Sequence, residues 1–182
     1  MSEPGRAASG VRSSRAITLL LIVAITVLVD QVTKQWVLTV LTPGEFVPFI
    51  GAHIGWQLLF NTGGAFGLAA PAWLFLTVAG FVTVLVLRVL TQQPSALSFV
   101  GFALLLGGAY GNIVDRLFRA TDGFASGAVV DFVAWGSFPR FNVADSAITV
   151  GVALVFIALL CDRENNAPSE APDGPPDSHD AL

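Results

Sequence analysis

The chain has 182 residues, 54% hydrophobic and only 12% charged, with a formal net charge of −4. Soluble domains carry about 25% charged residues, so a mean hydropathy of +0.72 marks an integral membrane protein, and there is no basic surface for nucleic acid. The single cysteine, Cys161, excludes an internal disulfide or a cysteine-rich metal site, and we read it as a small apolar residue at a helix end.

Residues 1–15 are polar and rich in Ser, Gly and Arg, the composition of a disordered tail. The apolar run that follows resembles a signal-peptide core. However, no small-residue cleavage site follows it, and helical character continues through Asp30-Gln31-Val32-Thr33-Lys34. It is therefore an uncleaved first span, about 16–41. Three further stretches approach the ~20 residues needed to cross ~30 Å of hydrocarbon: 71–90, 96–118 and 142–160. The expected fold is an all-α membrane protein of four transmembrane helices, residues 16–161 in all. A small β cradle is expected in the outer loop 42–70, where 56–60 is β-prone, and the other outer loop, 119–141, joins spans three and four. Residues 162–182 form an acidic, Pro-rich tail, expected to be disordered and dispensable.

Arg6, Arg12, Arg15, Arg88 and Arg163 fall on one side of the spans, and Lys34, Arg116, Arg119 and Arg140 on or near the other. The basic bias places both termini in the cytoplasm and the two larger loops outside. Trp36, Trp56, Trp73 and Trp135 lie toward the outer side, as interfacial anchors do.

Polar residues inside such spans are costly and usually functional. In the third span, Gly107 and Gly111 make a small-xxx-small pair for close helix approach. Asn112, Asp115 and Arg116 share one helical face, and for Asp115 and Arg116 we prefer a structural polar network to direct chemistry. Asp30 and Lys34, four apart, suit a helical ion pair with the acid first. Asn61-Thr62-Gly63-Gly64 is turn chemistry that also permits close backbone approach to a ligand. His53 has no visible partner and is read as a loop histidine.

The most informative pair is Asp131, in Val129-Val130-Asp131-Phe132, and Asp145, in Phe141-Asn142-Val143-Ala144-Asp145-Ser146. Asn142 and Asp145 share a face in the first turn of span four, where the helix dipole favours a negative charge. Asp131 follows an apolar run that can be extended. A carboxyl beside apolar walls and a second carboxylate keeps its proton, and one neutral acid beside one ionised acid can activate water and polarise a carbonyl together.

Five motifs in this order resemble the bacterial lipoprotein signal peptidases, or signal peptidase II. They are Asp30-Gln31-Val32-Thr33-Lys34, Asn61-Thr62-Gly63-Gly64-Ala65-Phe66, Gly111-Asn112-Ile113-Val114-Asp115-Arg116, and the two aspartate segments above. The resemblance covers about 16–160. It implies an intramembrane aspartic endopeptidase, with no cofactor and no metal, that removes the signal peptide from prolipoproteins whose cysteine already carries diacylglycerol, cutting just before that cysteine. It implies Asp131 and Asp145 as the catalytic dyad. Asp30, Lys34, Asn61, Gly63, Asn112, Asp115, Arg116 and Asn142 would support it or bind substrate. It further implies a bacterial cytoplasmic (inner) membrane location, membrane lipid as a partner, inhibition by globomycin, and a small sheet cradle in the first outer loop. The sequence departs from the pattern at Gly64, where alanine is commoner, in the long interval from Arg116 to Asp131, and in the short one from Asp131 to Asp145. Two other function classes fit the composition: a small proton-coupled transporter or flippase using the aspartates as a relay, and a non-enzymatic membrane scaffold.

Overall fold

A computed structural model describes residues 4–63, 71–121 and 123–165. Asp122, the glycine-rich stretch from Gly64 to Gly67 and the tail beyond Asn165 lie outside the described residues. The order of elements is α1 (Pro4–Val40), β1 (Phe46–Ile50), β2 (Ile54–Asn61), α2 (Ala72–Leu90), α3 (Ala96–Phe118), β3 (Val129–Trp135) and α4 (Val143–Asn165). Each helix contains a stretch long and apolar enough to cross a membrane: Ser13–Val40, Trp73–Leu90, Ala96–Phe118 and Val143–Asp162. At 1.5 Å per residue even the 18-residue stretch of α2 covers about 27 Å of hydrocarbon.

Two expectations change. Helix α1 begins at Pro4, so residues 4–15 extend the first helix and are not an irregular tail. Proline suits the first turn of a helix, and once the apolar turns have formed, propagating through Ala7 and Ala8 costs little. The second change concerns the sheet. Its strand order is β1-β2-β3, antiparallel throughout, so the loop between α3 and α4 supplies a third strand to the cradle begun by the first loop. Valines and aromatics favour the extended state here, and Asn61↔Val129 and Leu59↔Asp131 set the register.

Helix α3 is the centre of the bundle, with α1, α2 and α4 packed around it. Its Gly107 and Gly111 receive α1. A Cβ at Gly107 would lie 2.6 Å from Thr26 Cβ, and one at Gly111 would lie 2.7 Å from Asp30 Oδ2. On the α4 side, Gly108 lies directly against the Ala144 carbonyl. The small residues thus bring polar groups on three helices within hydrogen-bond reach, which larger side chains would prevent.

Where α1 leaves the bundle it packs under the sheet. Val37, Leu58, Val130 and Phe132 form a buried cluster with Leu38, Leu41, Trp56, Val133 and Val143 around it. Trp56 links Trp36, edge-on at 6.2 Å, to Phe49 and Phe132 at 5.7 and 6.0 Å. The sheet is therefore fastened to the same end of the bundle as the C-terminus of α3 and the N-terminus of α4.

Gly111→Val should force α1 away from α3. Overpacking of this kind costs about 1–3 kcal/mol. A lower thermal midpoint in detergent than the wild type, with the oligomeric state unchanged, is the expected outcome.

Candidate active site

Helix α4 starts with a reciprocal cap. Asn142 Oδ1 accepts from the Asp145 backbone N–H at 3.0 Å, and Asp145 Oδ2 accepts from the Asn142 backbone N–H at 3.1 Å. This is the geometry of a capping box, with Asn and Asp in the two positions. It fixes the carboxyl of Asp145 while leaving Oδ1 to accept from Asn112 Nδ2 at 2.8 Å. The Asn142 amide is completely buried. Its Nδ2 donates to Asp131 Oδ1 at 2.7 Å and to Asn112 Oδ1 at 3.1 Å. Thus Asn142 holds Asp145 through its backbone and side-chain oxygen, and Asp131 through its nitrogen.

Asp131 comes from β3 and is 3% exposed, whereas Asp145 is half-buried. The second oxygen of Asp131 accepts from Asn61 Nδ2 at 3.1 Å. Asn61 is itself held by the Gly63 N–H, which donates to its Oδ1 at 3.0 Å. Burial first, and then the nearby charge of Asp145, push the Asp131 carboxyl up to about 7. The amides of Asn61 and Asn142 and the charge of Lys34 act in the opposite direction.

Behind the two acids lies a buried ionic cluster. Lys34 has no solvent exposure and lies 2.8 Å from Asp30 Oδ2 and 3.0 Å from Asp115 Oδ2. It also donates to Asn112 Oδ1 at 3.0 Å, so all three ammonium hydrogens have acceptors. Asp30 Oδ1 takes the Ala144 N–H of α4 at 2.9 Å, and Asp115 Oδ2 takes the Val130 N–H of β3 at 3.0 Å. Arg119 Nε reaches Asp115 Oδ1 at 3.0 Å. Arg116 donates from Nη2 to the Gly63 carbonyl at 2.6 Å and stacks on Phe75 of α2, its Cζ 3.6 Å from the ring centroid. Asp30, Asp115 and Asp145 balance Lys34, Arg116 and Arg119 in charge. The set is neutral when Asp131 carries its proton, which is the cheapest state for so buried a group of charges.

All ten residues singled out from the sequence therefore join one hydrogen-bonded network. Asp131 and Asp145 share Asn142; Asp30, Lys34 and Asp115 form the ionic cluster; Asn112 connects the two; and Asn61, Gly63 and Arg116 approach Asp131 from the β2 side. Asp115 meets Lys34, Arg119 and the Val130 N–H, and Arg116 meets the Gly63 carbonyl and the Phe75 ring. Gln31 was overlooked. Its Nε2 donates to Asp30 Oδ2, to the Gly111 carbonyl and to Asp115 Oδ1, at 3.0–3.1 Å. The signal was present, because an amide between Asp30 and Lys34 widens a polar stripe on an apolar helix. Phe75 and Arg119 were also missed, and a phenylalanine in a span carries no sequence signal for this role.

The sequence model of the family described as signal peptidase (SPase) II matches residues 22–161. The chain belongs to this family. It is 42% identical over 158 residues to a lipoprotein signal peptidase of Mycolicibacterium smegmatis, covering 86% of this chain and 66% of that protein. It is 42% identical over 160 residues to one of Mycobacterium avium, covering 86% of this chain and 87% of the relative. A bacterial membrane enzyme solved by the in meso method at 2.3 Å superposes with a TM-score of 0.73 at 32% identity, covering 85% of this chain and 94% of the other. The family is that of a peptidase, and the transporter reading has no support.

Lys34→Met should leave Asp30 and Asp115 buried without their cation. Breaking a buried pair in this way costs about 3–5 kcal/mol. The thermal midpoint of the purified protein should fall by more than it does for Arg119→Met, whose side chain is 27% exposed.

Proposed function

We propose that Asp131 and Asp145 are the catalytic dyad of an aspartic endopeptidase. As a signal peptidase II, the protein removes the signal peptide from prolipoproteins. The finer proposal is that its substrates carry a diacylglyceryl group on the cysteine after the cut. The lipid stays in the bilayer while the scissile peptide lies over the two acids. The observation that carries this reading is the single residue, Asn142, bonded to both acids.

The two carboxyls have different surroundings, and this suggests their roles. Asp131, buried and pushed up to about 7, carries the proton. Asp145, at the positive end of α4, is the base. Water attacks the carbonyl carbon of the scissile bond as Asp145 takes one of its protons and Asp131 gives its own to the carbonyl oxygen. In the resulting tetrahedral diol the C–N bond breaks. The amine leaves with the proton from Asp145, and Asp131 recovers the hydroxyl proton as the new carboxyl forms. Both acids end as they began.

The remaining assignments rest on the family and on the fold. The site lies at the end of the bundle that carries the sheet, where α3 ends and α4 begins. With the basic residues distributed as above, that end faces outward from a bacterial cytoplasmic membrane and both termini face the cytoplasm. Globomycin is proposed to occupy the substrate site.

Purified protein incubated with a diacylglyceryl-modified prolipoprotein should release a fragment whose mass equals the signal peptide, and globomycin should suppress the release. Asp131→Asn and Asp145→Asn should each abolish cleavage while inserting and folding normally. A well-folded Asp131→Asn variant with wild-type turnover would refute the assignment. Catalysis needs one proton on the pair. Activity should therefore decline as pH rises through about 7, where Asp131 loses it, and a rate that keeps climbing through that range would contradict the acid role of Asp131.

A further inference from the structure

Helix α2 is the most loosely held element of the bundle, and it packs chiefly on α3. Among the described residues, one hydrogen bond and one cation–ring contact link its side chains to α3, beside the buried Ala79 and Val86. Near the middle of the span, Thr83 Oγ1 and Tyr110 Oη are 3.0 Å apart. At the end nearer the active site, Phe75 stacks on the Arg116 guanidinium. Arg116 is only 5% exposed, so its cation has lost most of its hydration. It meets the Gly63 carbonyl and the Phe75 ring, and it is coupled electrostatically to Asp131 and Asp115. A desolvated cation over an aromatic face is where this interaction is strongest.

The contacts continue from there without a gap. Arg116 holds the Gly63 carbonyl. The N–H of the same residue holds Asn61 Oδ1. With its oxygen engaged, the Asn61 amide presents Nδ2 to Asp131 Oδ2. Released at the oxygen end, the amide is free to rotate, and Asp131 loses a donor. We propose that Phe75 is a positioning residue for Asp131, acting through Arg116, Gly63 and Asn61, so that the seating of α2 on α3 is read out at the catalytic acid.

The inference rests on the dyad assignment, and its test separates the two. Among the described residues, the groups facing Asp131 are Lys34 from α1, Arg116 from α3, Asp145 from α4, and the amides of Asn61 and Asn142, with Asp115 of α3 next to them on the Val130 N–H. The Asn61 donor favours the ionised carboxyl. Weakening it should make Asp131 hold its proton to higher pH. Full-length Phe75→Leu, and Phe75→Met as a second variant of similar bulk, are assayed on diacylglyceryl-modified prolipoprotein from pH 5 to about 9. The expected result is a fall in kcat of about three- to tenfold with little change in KM, and an alkaline limb displaced to higher pH. Phe75→Tyr, which keeps the ring face, should restore both. Thr83→Val, which loosens α2 at its other contact, should leave the limb in place. An unmoved limb in both Phe75 variants, or an equal displacement in Thr83→Val, overturns the inference while inactive Asp131→Asn leaves the dyad standing. Full activity in Asp131→Asn overturns the dyad itself.

Discussion

One buried ammonium organises the active end of this protein. Lys34 projects from α1 into a fully buried position, and an unpaired charge there would cost many kcal/mol. It is tolerated because Asp30, Asp115 and Asn112 surround it at 2.8–3.0 Å. Each acid then uses its remaining capacity on the backbone of another element, Asp30 on the Ala144 N–H of α4 and Asp115 on the Val130 N–H of β3. One cation thereby joins α1, α3, α4 and the sheet. The joint is directional, and so it fixes the relative rotation of the elements in a way that lipid-facing leucines cannot. Close packing at Gly108 and Gly111 is its precondition, since side chains there would separate the helices before these polar groups could meet.

Asparagines connect that cluster to the two acids. A charged side chain in the position of Asn112 would add to a buried network whose charges already balance. The neutral amide accepts from Lys34 and Asn142 on one atom and donates to Asp145 from the other. Asn142 likewise serves Asp131 and Asp145 together, and it also caps α4. Capping and the proposed catalysis are therefore not competing explanations for Asn142 and Asp145. The cap holds Asp145 in the orientation that the proposed chemistry requires.

Four helices and a small sheet were legible in the sequence because both depend on local signals, long apolar runs and a β-prone stretch. The polar residues of the site were legible for a different reason: in a membrane span an Asp, Asn or Lys has to be accounted for. Gln31 was the exception, hidden beside two charged residues. The third strand was not legible. Val129-Val130-Asp131-Phe132 pairs with a strand some 70 positions earlier, Leu59 lying opposite Asp131 at a separation of 72, and no local pattern encodes a partner so distant. Phe75 was invisible for a related reason. Its identity is ordinary for a span, and only the distance of 3.6 Å from Arg116 Cζ distinguishes it.

Placing the two acids on different kinds of element gives the pair its asymmetry. Asp131 projects from a strand whose neighbours Val130 and Phe132 are buried, and β2 and the cap of α4 close around it, so water cannot solvate its anion. Asp145 lies in the first turn of a helix, half-buried, with a backbone N–H on one oxygen. Two carboxyls in equivalent surroundings would share a proton evenly. Here the fold biases it toward the strand before any substrate arrives. In the proposed mechanism the carbonyl therefore meets an acid already protonated, and water meets a base already ionised. The proposed assignment of roles thus follows from which element carries each aspartate.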